Sequence, residues 1–239
     1  MRALICSDLH LECHADQGIS LLATLNTNVD ALVLAGDLCS ASMLEGTIGK
    51  LCSMFKHVVY VCGNHELWQS SFIEVYRKLW ALSDLHPNLH WLENNSVDVG
   101  GQRFVGATGW FKHTQAADDN KHRMPDYTEI QGFEDLVYHK HRITLDYFKT
   151  QVKLSDVVLT HHLPAAVCIR PEFKQSKVLP FFVSGFDSVL TKNPKLWIFG
   201  HSHLGLDLTV NQTRLLANPF GSALKDSNSD FNPNLIIDL

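Results

Sequence analysis

Five short apolar runs of this chain each lead into polar residues. The runs are Ala3–Ser7, Ala31–Ala35, Val58–Cys62, Val157–Thr160 and Leu196–Phe199. Their length and their content of Val, Ile and Leu predict strands that are buried on both faces. In an open α/β sheet, functional groups collect just beyond the carboxyl ends of the strands. The pattern therefore predicts that polar side chains from distant parts of the chain meet at one place.

Apolar residues at helical spacing predict helices between and after these strands. They occur in Ala41–Phe55, Ser71–Leu85 and Phe133–Val152, and the first two give the chain a βαβαβ start with a parallel sheet. Further strands and hairpins are predicted at Leu89–Leu92, Val97–Val99, Gln102–Val105, Leu206–Val210, Arg214–Leu216 and Leu235–Leu239. The strand-rich second half indicates two sheets packed together, with helices outside.

Two segments, Trp110–Glu134 and Pro164–Phe182, follow neither pattern. A loop of this length inside a compact domain is often functional. For the first segment, a solvated excursion from the domain is the alternative interpretation. The second segment follows directly after a pair of histidines, His161 and His162.

The length and charge of the chain narrow its class. A chain of 239 residues, 45% of them apolar and 19% charged, fits a single α/β domain over residues 1–239. The net charge of −5 argues against broad electrostatic attraction to nucleic acid or to an anionic membrane. It leaves a phosphate-bearing substrate possible, because bound divalent metal ions would reverse the local field.

The sequence predicts a cytoplasmic protein. The first residues lack the pattern of a signal peptide, and no apolar run approaches the ~20 residues of a membrane span. The six cysteines form no Cys-x-x-Cys pair, so we expect reduced thiols. The sequence does not indicate which oligomeric state the protein adopts.

Five polar motifs follow the apolar runs. They are Asp8-Leu9-His10, Gly36-Asp37, Gly63-Asn64-His65-Glu66, His161-His162 and Gly200-His201-Ser202-His203. Each motif alone is common, but all five in this order resemble the calcineurin-like metallophosphoesterase superfamily over residues 8 to 203. The resemblance extends to the small soluble bacterial-type phosphoesterases, which share the Thr-His-His-x-Pro turn seen at Thr160–Pro164. It implies a four-layer αββα sandwich of two mixed sheets flanked by helices.

The resemblance also implies a binuclear metal centre. The implied ligands are Asp8, His10 and His203 for one ion and Asn64, His161 and His201 for the other, with Asp37 bridging both. Two octahedral ions need about twelve coordination positions, so this set leaves positions open for water and substrate. Nitrogen and oxygen donors suit two divalent ions such as Mn²⁺, the expected metal, and also iron, zinc, cobalt or nickel.

The implied reaction is hydrolysis of a phosphate ester. A hydroxide that bridges the metals would attack phosphorus in line. His65, next to a ligand, would protonate the leaving oxygen or stabilise charge in the transition state. The catalytic residues expected are therefore His65, Asp37 and Asn64, with Glu66 holding local geometry by hydrogen bonds. We expect His162 to lie beside the metal ligands rather than to bind a metal.

The chain departs from the serine/threonine protein phosphatases of this superfamily. Their Gly-Asp and Gly-Asn-His-Glu motifs carry arginines that grip a phosphomonoester dianion, whereas Gly36–Ser42 and Gly63–Trp68 carry none. Two metals and His65 can neutralise a diester without an arginine. We therefore expect a small phosphate ester as the substrate, with a phosphodiester preferred over a monoester, unless Arg123 or Arg170 supplies the missing clamp.

Three alternative functions stay open at this stage. The first is a phosphomonoesterase or protein-phosphatase-like activity. The second is a nuclease, which the acidic balance disfavours because nucleic-acid affinity needs clustered Lys and Arg. The third is a non-catalytic interaction scaffold, like the retromer subunit of the superfamily, although no ligand position is lost here.

Overall fold

The computed structural model of the protein describes residues 1–223, 228 and 230–239. Its strands are β1 (Arg2–Cys6), β2 (Ala31–Ala35), β3 (Val58–Val61), β4 (Ser70–Ser71), β5 (Leu89–Trp91), β6 (Asn95–Val99), β7 (Gln102–Gly106), β8 (Ile130–Gln131), β9 (Val157–Leu159), β10 (Leu196–Phe199), β11 (Leu206–Val210), β12 (Thr213–Ala217) and β13 (Ile236–Asp238). Its α-helices are α1 (Ile19–Thr24), α2 (Leu44–Met54), α3 (Phe72–Leu85), α4 (Gln115–Asn120), α5 (Asp126–Glu129), α6 (Phe133–Gln151) and α7 (Asp187–Leu190). Single-turn 3-10 helices lie at Leu11–Cys13, His65–Leu67, Lys121–Arg123, Ala166–Cys168, Pro171–Phe173 and Leu179–Phe181.

The first sheet has the strand order β13-β1-β2-β3-β5. The four strands β1, β2, β3 and β5 are parallel, and β13 joins the edge antiparallel to β1. The register pairs Cys6 with Leu34, and Ala35 with Val61. Because the parallel strands end side by side, the residues that follow β1, β2 and β3 leave the sheet at the same edge.

The second sheet has the order β11-β12-β10-β9-β7-β6. Its four central strands are parallel, and the outer strands β11 and β6 pair antiparallel with their neighbours. Both sheets are therefore mixed, as the sequence predicted. A small two-stranded sheet pairs β4 with β8 and ties the start of α3 to residue 130.

The two sheets pack face to face between helices. In β1, Ala3 and Ile5 face an inter-sheet core that includes Leu159 and Ile198 of the second sheet. The alternate residues of β1 and β2 face a second core that includes residues of α2 and α3. Trp197 and Phe199 belong to a third core, with residues of α6 and α7. These three cores separate four layers, so the predicted αββα sandwich is confirmed.

The segments predicted to be irregular contain short elements. Residues 110–134 hold α4, α5 and β8, and residues 164–182 hold three 3-10 turns. Helices of four to six residues show too few periods for a pattern to be read. The same limit explains why α1 and α7 were not predicted. Among the described residues, none of the helices combines the length and apolar composition needed to cross a bilayer.

Candidate metal centre

All seven predicted ligands meet where the two sheets' strands end. Asp8, His10, Asp37 and His203 each place a donor atom within 4.8 Å of the others, and Asp37, His161 and His201 form a second such group. Asp37 belongs to both groups, which is the geometry that a bridging carboxylate requires. The seventh residue, Asn64, places Oδ1 3.1 Å from Nε2 of His161.

Glycines allow this close approach of neighbouring loops. A Cβ atom on Gly63 would lie 2.0 Å from Oδ1 of Asp37, and one on Gly200 would lie 2.4 Å from Oδ2 of Asp8. Any side chain at these positions would push an acidic residue out of the centre. In both places, the glycine that precedes a candidate ligand therefore makes room for a candidate ligand from another loop.

Five of the seven candidate ligands have a left-handed backbone. They are Asp8, His10, Asp37, His201 and His203, with φ between 42° and 69°. This conformation is uncommon for residues other than glycine and persists only where the surroundings enforce it. Here the backbone N–H of His201 donates to Oδ1 of Asp8 at 2.9 Å, and the N–H of His65 donates to Oδ1 of Asp37 at 2.9 Å. These side-chain to backbone bonds hold the turns in place.

The hydrogen bonds of His161 define which of its ring nitrogens faces the centre. Nδ1 lies 2.8 Å from the carbonyl oxygen of Ala35, so it carries the proton and donates it. Nε2 then faces Oδ1 of Asn64, Nδ1 of His201 at 3.1 Å and Oδ2 of Asp37 at 3.3 Å. A carbonyl partner on the outer nitrogen is the usual arrangement for a metal-binding histidine.

The charges of the centre favour a cation. Asp8 and Asp37 are buried, and their negative charge raises the pKa of nearby histidines against the effect of burial. Burial lowers the pKa of His161, but the charge of Asp37, the hydrogen bond with Asp37 and the charge of Asp8 together outweigh burial and raise that pKa to about 10. Burial also lowers the pKa of His10. The hydrogen bond with Glu12 and the charges of Asp37 and Asp8 together outweigh burial and raise that pKa to about 9. A pocket that protonates buried histidines stabilises positive charge.

The same donors fit divalent metal ions. Nε2 of His10 and Nε2 of His203 face each other at 3.0 Å, and Nε2 of His10 lies 3.6 Å from Oδ2 of Asp37. Burial and the neighbouring rings of His162 and His161 push the pKa of His201 well below its ordinary value, so this ring keeps a lone pair to offer. Nitrogen and oxygen donors that converge in this way suit transition metals of borderline softness.

Glu12 contacts two histidines of the site, which the sequence did not predict. Its Oε1 lies 3.1 Å from Nδ1 of His65 and 3.5 Å from Nδ1 of His10. Burial raises the pKa of Glu12, but its hydrogen bonds with His10 and His65 outweigh this and lower that pKa to about 2. The ring of His65 also stacks on that of Trp68, with 3.7 Å between the ring centroids. Glu12 and Trp68 therefore fix the orientation of His65.

Asp126 is a second residue that the sequence did not single out. It is fully buried, and its Oδ1 accepts from Nδ2 of Asn64 at 2.9 Å and from Nε1 of Trp68 at 2.8 Å. The first bond fixes the amide of Asn64 with its oxygen towards His161. The segment of residues 110–134 thus supports the centre through Asp126, and no local pattern around Pro125 signals this role.

Glu66 links the loop that follows β2 to the loop that follows β3. Its Oε1 accepts from the backbone N–H of Leu38 at 2.7 Å and from the hydroxyl of Tyr60 at 2.6 Å. Its Oε2 accepts from the backbone N–H of Gly63 at 2.8 Å. Burial and then the charge of Asp37 raise the pKa of Glu66 to about 7. The predicted role in local geometry is confirmed by these bonds.

The remaining candidates lie around the centre at different distances. His162 is fully buried, with its ring 4.3 Å from that of His201, which places it beside the ligands as predicted. Arg170 lines a cavity together with His201 and His203. Arg123 lines a different cavity, between Lys121 and Pro125, whose described walls include no candidate ligand. Of the two arginines, the structure brings only Arg170 near the centre.

Comparison with known proteins identifies the family to which the chain belongs. Residues 1–205 match the family model described as calcineurin-like phosphoesterase. Phosphopantetheinyl hydrolase from Mycobacterium tuberculosis is 18% identical, with a TM-score of 0.72 over 93% of this chain and 90% of that one. A protein from Thermus thermophilus is 15% identical, with a TM-score of 0.60 over 91% of this chain and 88% of that one. No curated protein matches the sequence significantly.

Proposed function

Because the chain belongs to the calcineurin-like phosphoesterase family, and is thus a metal-dependent phosphoester hydrolase, we propose that it is a binuclear enzyme that prefers phosphodiesters. The observation that carries the proposal is the sharing of Asp37 between two groups of donors. A single carboxylate between two such groups serves two ions, whereas a closed structural site would need only one group.

The seven converging side chains would hold the metal ions. Asp8, His10 and His203 would bind one, Asn64, His161 and His201 the other, and Asp37 both. When bound, two divalent ions neutralise the phosphoryl oxygens and lower the pKa of water, so that a nucleophile forms near neutral pH. The protein holds this set rigid through Glu66, Asp126 and the left-handed turns.

His65 is placed to act on the leaving oxygen. It follows the ligand Asn64, and a fifth of its side chain is accessible, so it can reach a bound substrate. Its Nδ1 faces Oε1 of Glu12, which directs Nε2 outwards and stabilises the ring when it is protonated. We assign to His65 the transfer of a proton to the departing alkoxide, and to Glu12 the orientation of His65.

The substrate preference follows from the cations around the centre. A monoester dianion favours an arginine fork in addition to the metals. Within the described residues, Arg170 is the arginine that lines the cavity beside His201, and its Nη2 donates to the carbonyl of Gly205 at 3.1 Å. A phosphodiester carries one charge less and does not need this arginine. The name of the Mycobacterium tuberculosis neighbour, a phosphopantetheinyl hydrolase, is in keeping with an organic phosphoester as the substrate.

The test compares two esters in one metal condition. With Mn²⁺ we expect a higher kcat/KM on bis(4-nitrophenyl) phosphate than on 4-nitrophenyl phosphate, and loss of both activities in excess chelator. Full activity in chelator would contradict metal dependence. A preference for the monoester that disappears in Arg170→Ala would contradict the diester assignment and identify a phosphomonoesterase. Cleavage of DNA or RNA in preference to both esters would identify a nuclease.

A further inference from the structure

A cavity of about 650 Å³ opens directly beside the candidate metal centre. His201 and His203 line it, together with residues of the segment 163–182. Ser202, Leu204, Asn228 and Asp230 complete the described wall. The volume lies within the ~300–1,000 Å³ of small-molecule sites. Because two candidate ligands belong to this wall, a group that fills the groove lies next to the reacting phosphate.

The wall of the groove is largely apolar. Its apolar side chains include Leu163, Ile169, Phe173, Leu179, Phe182 and Leu204. Phe173 is 46% exposed although it is a large aromatic residue. Phe182 packs its ring 4.4 Å from that of His201, so the apolar wall reaches a candidate ligand. An apolar wall of this kind gains free energy by covering apolar ligand surface.

Of the polar side chains that line the groove, Asn228 and Arg170 bond to the protein itself. The others in the described wall are Ser176, Ser202 and Asp230, beside the two candidate ligands. Nδ2 of Asn228 donates to the carbonyl of Pro219 at 3.0 Å, and its Oδ1 accepts from the backbone N–H of Asp230 at 3.0 Å. The guanidinium of Arg170 donates to Gly205. A site that reads a nucleobase needs several polar groups aimed at the base. The groove offers surface for an apolar chain and few such groups in the part that the structure describes.

We propose that this groove holds one organic group of a phosphodiester substrate and that this group is an extended, mainly apolar chain. The inference rests on the proposed function, since the groove selects among esters that the metal centre cleaves. It makes the segment of residues 163–182 the determinant of substrate choice.

The test is a series of alkyl 4-nitrophenyl phosphodiesters from methyl to octyl, used below their micelle concentrations in Mn²⁺. A fully buried methylene contributes roughly fourfold in binding, so partial burial of the added methylenes should raise kcat/KM by about tenfold or more from methyl to hexyl. Phe173→Ser and Ile169→Ser should each reduce the ratio of octyl to methyl kcat/KM. Val167→Ser is the matched control, since Val167 is 49% exposed in the same segment and does not line the groove. It should leave the ratio unchanged.

Each contrary result has a distinct meaning. Equal kcat/KM from methyl to octyl, with the methyl ester hydrolysed, would overturn the groove assignment and leave the phosphodiesterase in place. A thymidine 5′-(4-nitrophenyl) diester cleaved more efficiently than the octyl diester would overturn it in favour of a nucleotide. Absence of hydrolysis of the methyl ester with every divalent metal would overturn both the groove and the proposed function. Loss of chain-length dependence in Val167→Ser, with the melting temperature unchanged, would also contradict the assignment to the groove.

Discussion

At the scale of single residues, the contact between Glu12 and two histidines is the feature most open to experiment. Glu12 lies two positions after His10, and the left-handed conformation of His10 turns the chain so that Glu12 faces back towards His65. The carboxylate then serves a candidate ligand and the candidate acid at once. Its low pKa keeps it ionised throughout the neutral range.

Replacing Glu12 by Gln should make the reaction more dependent on the leaving group. Gln keeps the size of the side chain but removes the charge that stabilises protonated His65. Phenol needs a proton to depart, whereas nitrophenol does not, so we expect about a tenfold loss of kcat on methyl phenyl phosphate and a smaller loss on methyl 4-nitrophenyl phosphate. The measurement is the slope of log kcat against leaving-group pKa. An unchanged slope would contradict the role, and Glu45→Gln, an exposed carboxylate in α2, is the control.

Replacing His65 by Ala should separate the acid from the ligands. We expect metal content to stay at the wild-type level, because His65 converges with His10 and Glu12 but belongs to neither of the two donor groups that share Asp37. We expect kcat to fall by ~10²–10⁴, the usual contribution of general acid catalysis. Metal analysis and kinetics on one preparation check both statements. Loss of the bound metal in His65→Ala would show that His65 is a ligand.

The candidate ligands could be predicted from the sequence, and their supporting residues could not. Each ligand follows an apolar run, so the strand pattern alone indicates where it lies. Asp126 is separated from Asn64 by 62 positions and reaches it through a short helix without periodicity. The contact of Glu12 with His65 depends on the left-handed backbone of His10, which the apolar pattern does not predict. A left-handed backbone turn and a long-range hydrogen bond depend on the tertiary structure, so the spacing of residues in the sequence does not predict them.

At the scale of elements, a hydrogen bond links α6 to Ser184, two positions after the segment that lines the groove. His141 is buried on this helix, and its Nε2 donates to the carbonyl of Ser184 at 2.8 Å. Its ring stacks on Phe186 at 5.4 Å. Burial lowers the pKa of His141; the bond to Ser184 opposes this and the charge of Lys112 adds to it. His141 is therefore neutral in the folded protein at neutral pH.

The neutral state of His141 makes stability fall in acid. A histidine whose pKa is lower in the folded than in the unfolded state stabilises fully above its unfolded pKa of about 6.5. That contribution is lost as pH falls below this value, because the unfolded chain takes up the proton. We expect the difference in free energy of unfolding between wild type and His141→Gln to shrink between about pH 7.5 and pH 5.5. Urea unfolding at saturating metal measures it, and a constant difference would contradict the burial argument.

Elements with a clear apolar pattern were predicted well, and short helices were not. The strands β2 and β10 and the helices α3 and α6 match their predicted ranges within one residue. Each carries a full apolar period or a continuous apolar run. The helices α1, α4, α5 and α7 have four to six residues, and tertiary contacts rather than sequence period determine them. Pro125 and Gly132 mark the ends of such pieces, but they do not show that a helix lies between them.

At the scale of the whole molecule, the candidate centre joins the two halves of the chain. Asp8, Asp37 and Asn64 follow strands of the first sheet, and His161, His201 and His203 follow strands of the second sheet. An ion held by both sets would connect the sheets at their exits. In the absence of metal, the buried carboxylates of Asp8 and Asp37 would lie within 4.8 Å of each other at this junction without the cations that neutralise them.

Metal removal should therefore lower the stability of the whole domain. A ligand that binds only the folded state stabilises it by about 2.7 kcal/mol at one hundred times its dissociation constant. We expect the melting temperature to rise with Mn²⁺ concentration in protein stripped by chelator. Asp37→Asn should show a much smaller rise, because the shared carboxylate is weakened for both ions. An equal rise in wild type and Asp37→Asn would mean that the stabilising ions bind elsewhere.

In the proposed centre, seven side chains hold two metal ions through one shared carboxylate. The most direct measurement is a titration of chelator-stripped protein with Mn²⁺, in which bound metal per chain and hydrolysis of bis(4-nitrophenyl) phosphate are followed together in wild type and Asp37→Asn. We predict that wild-type activity saturates at two bound ions per chain, and that Asp37→Asn binds fewer than one and is inactive. Full activity with less than one bound ion per chain, or two ions retained by Asp37→Asn, would contradict the account.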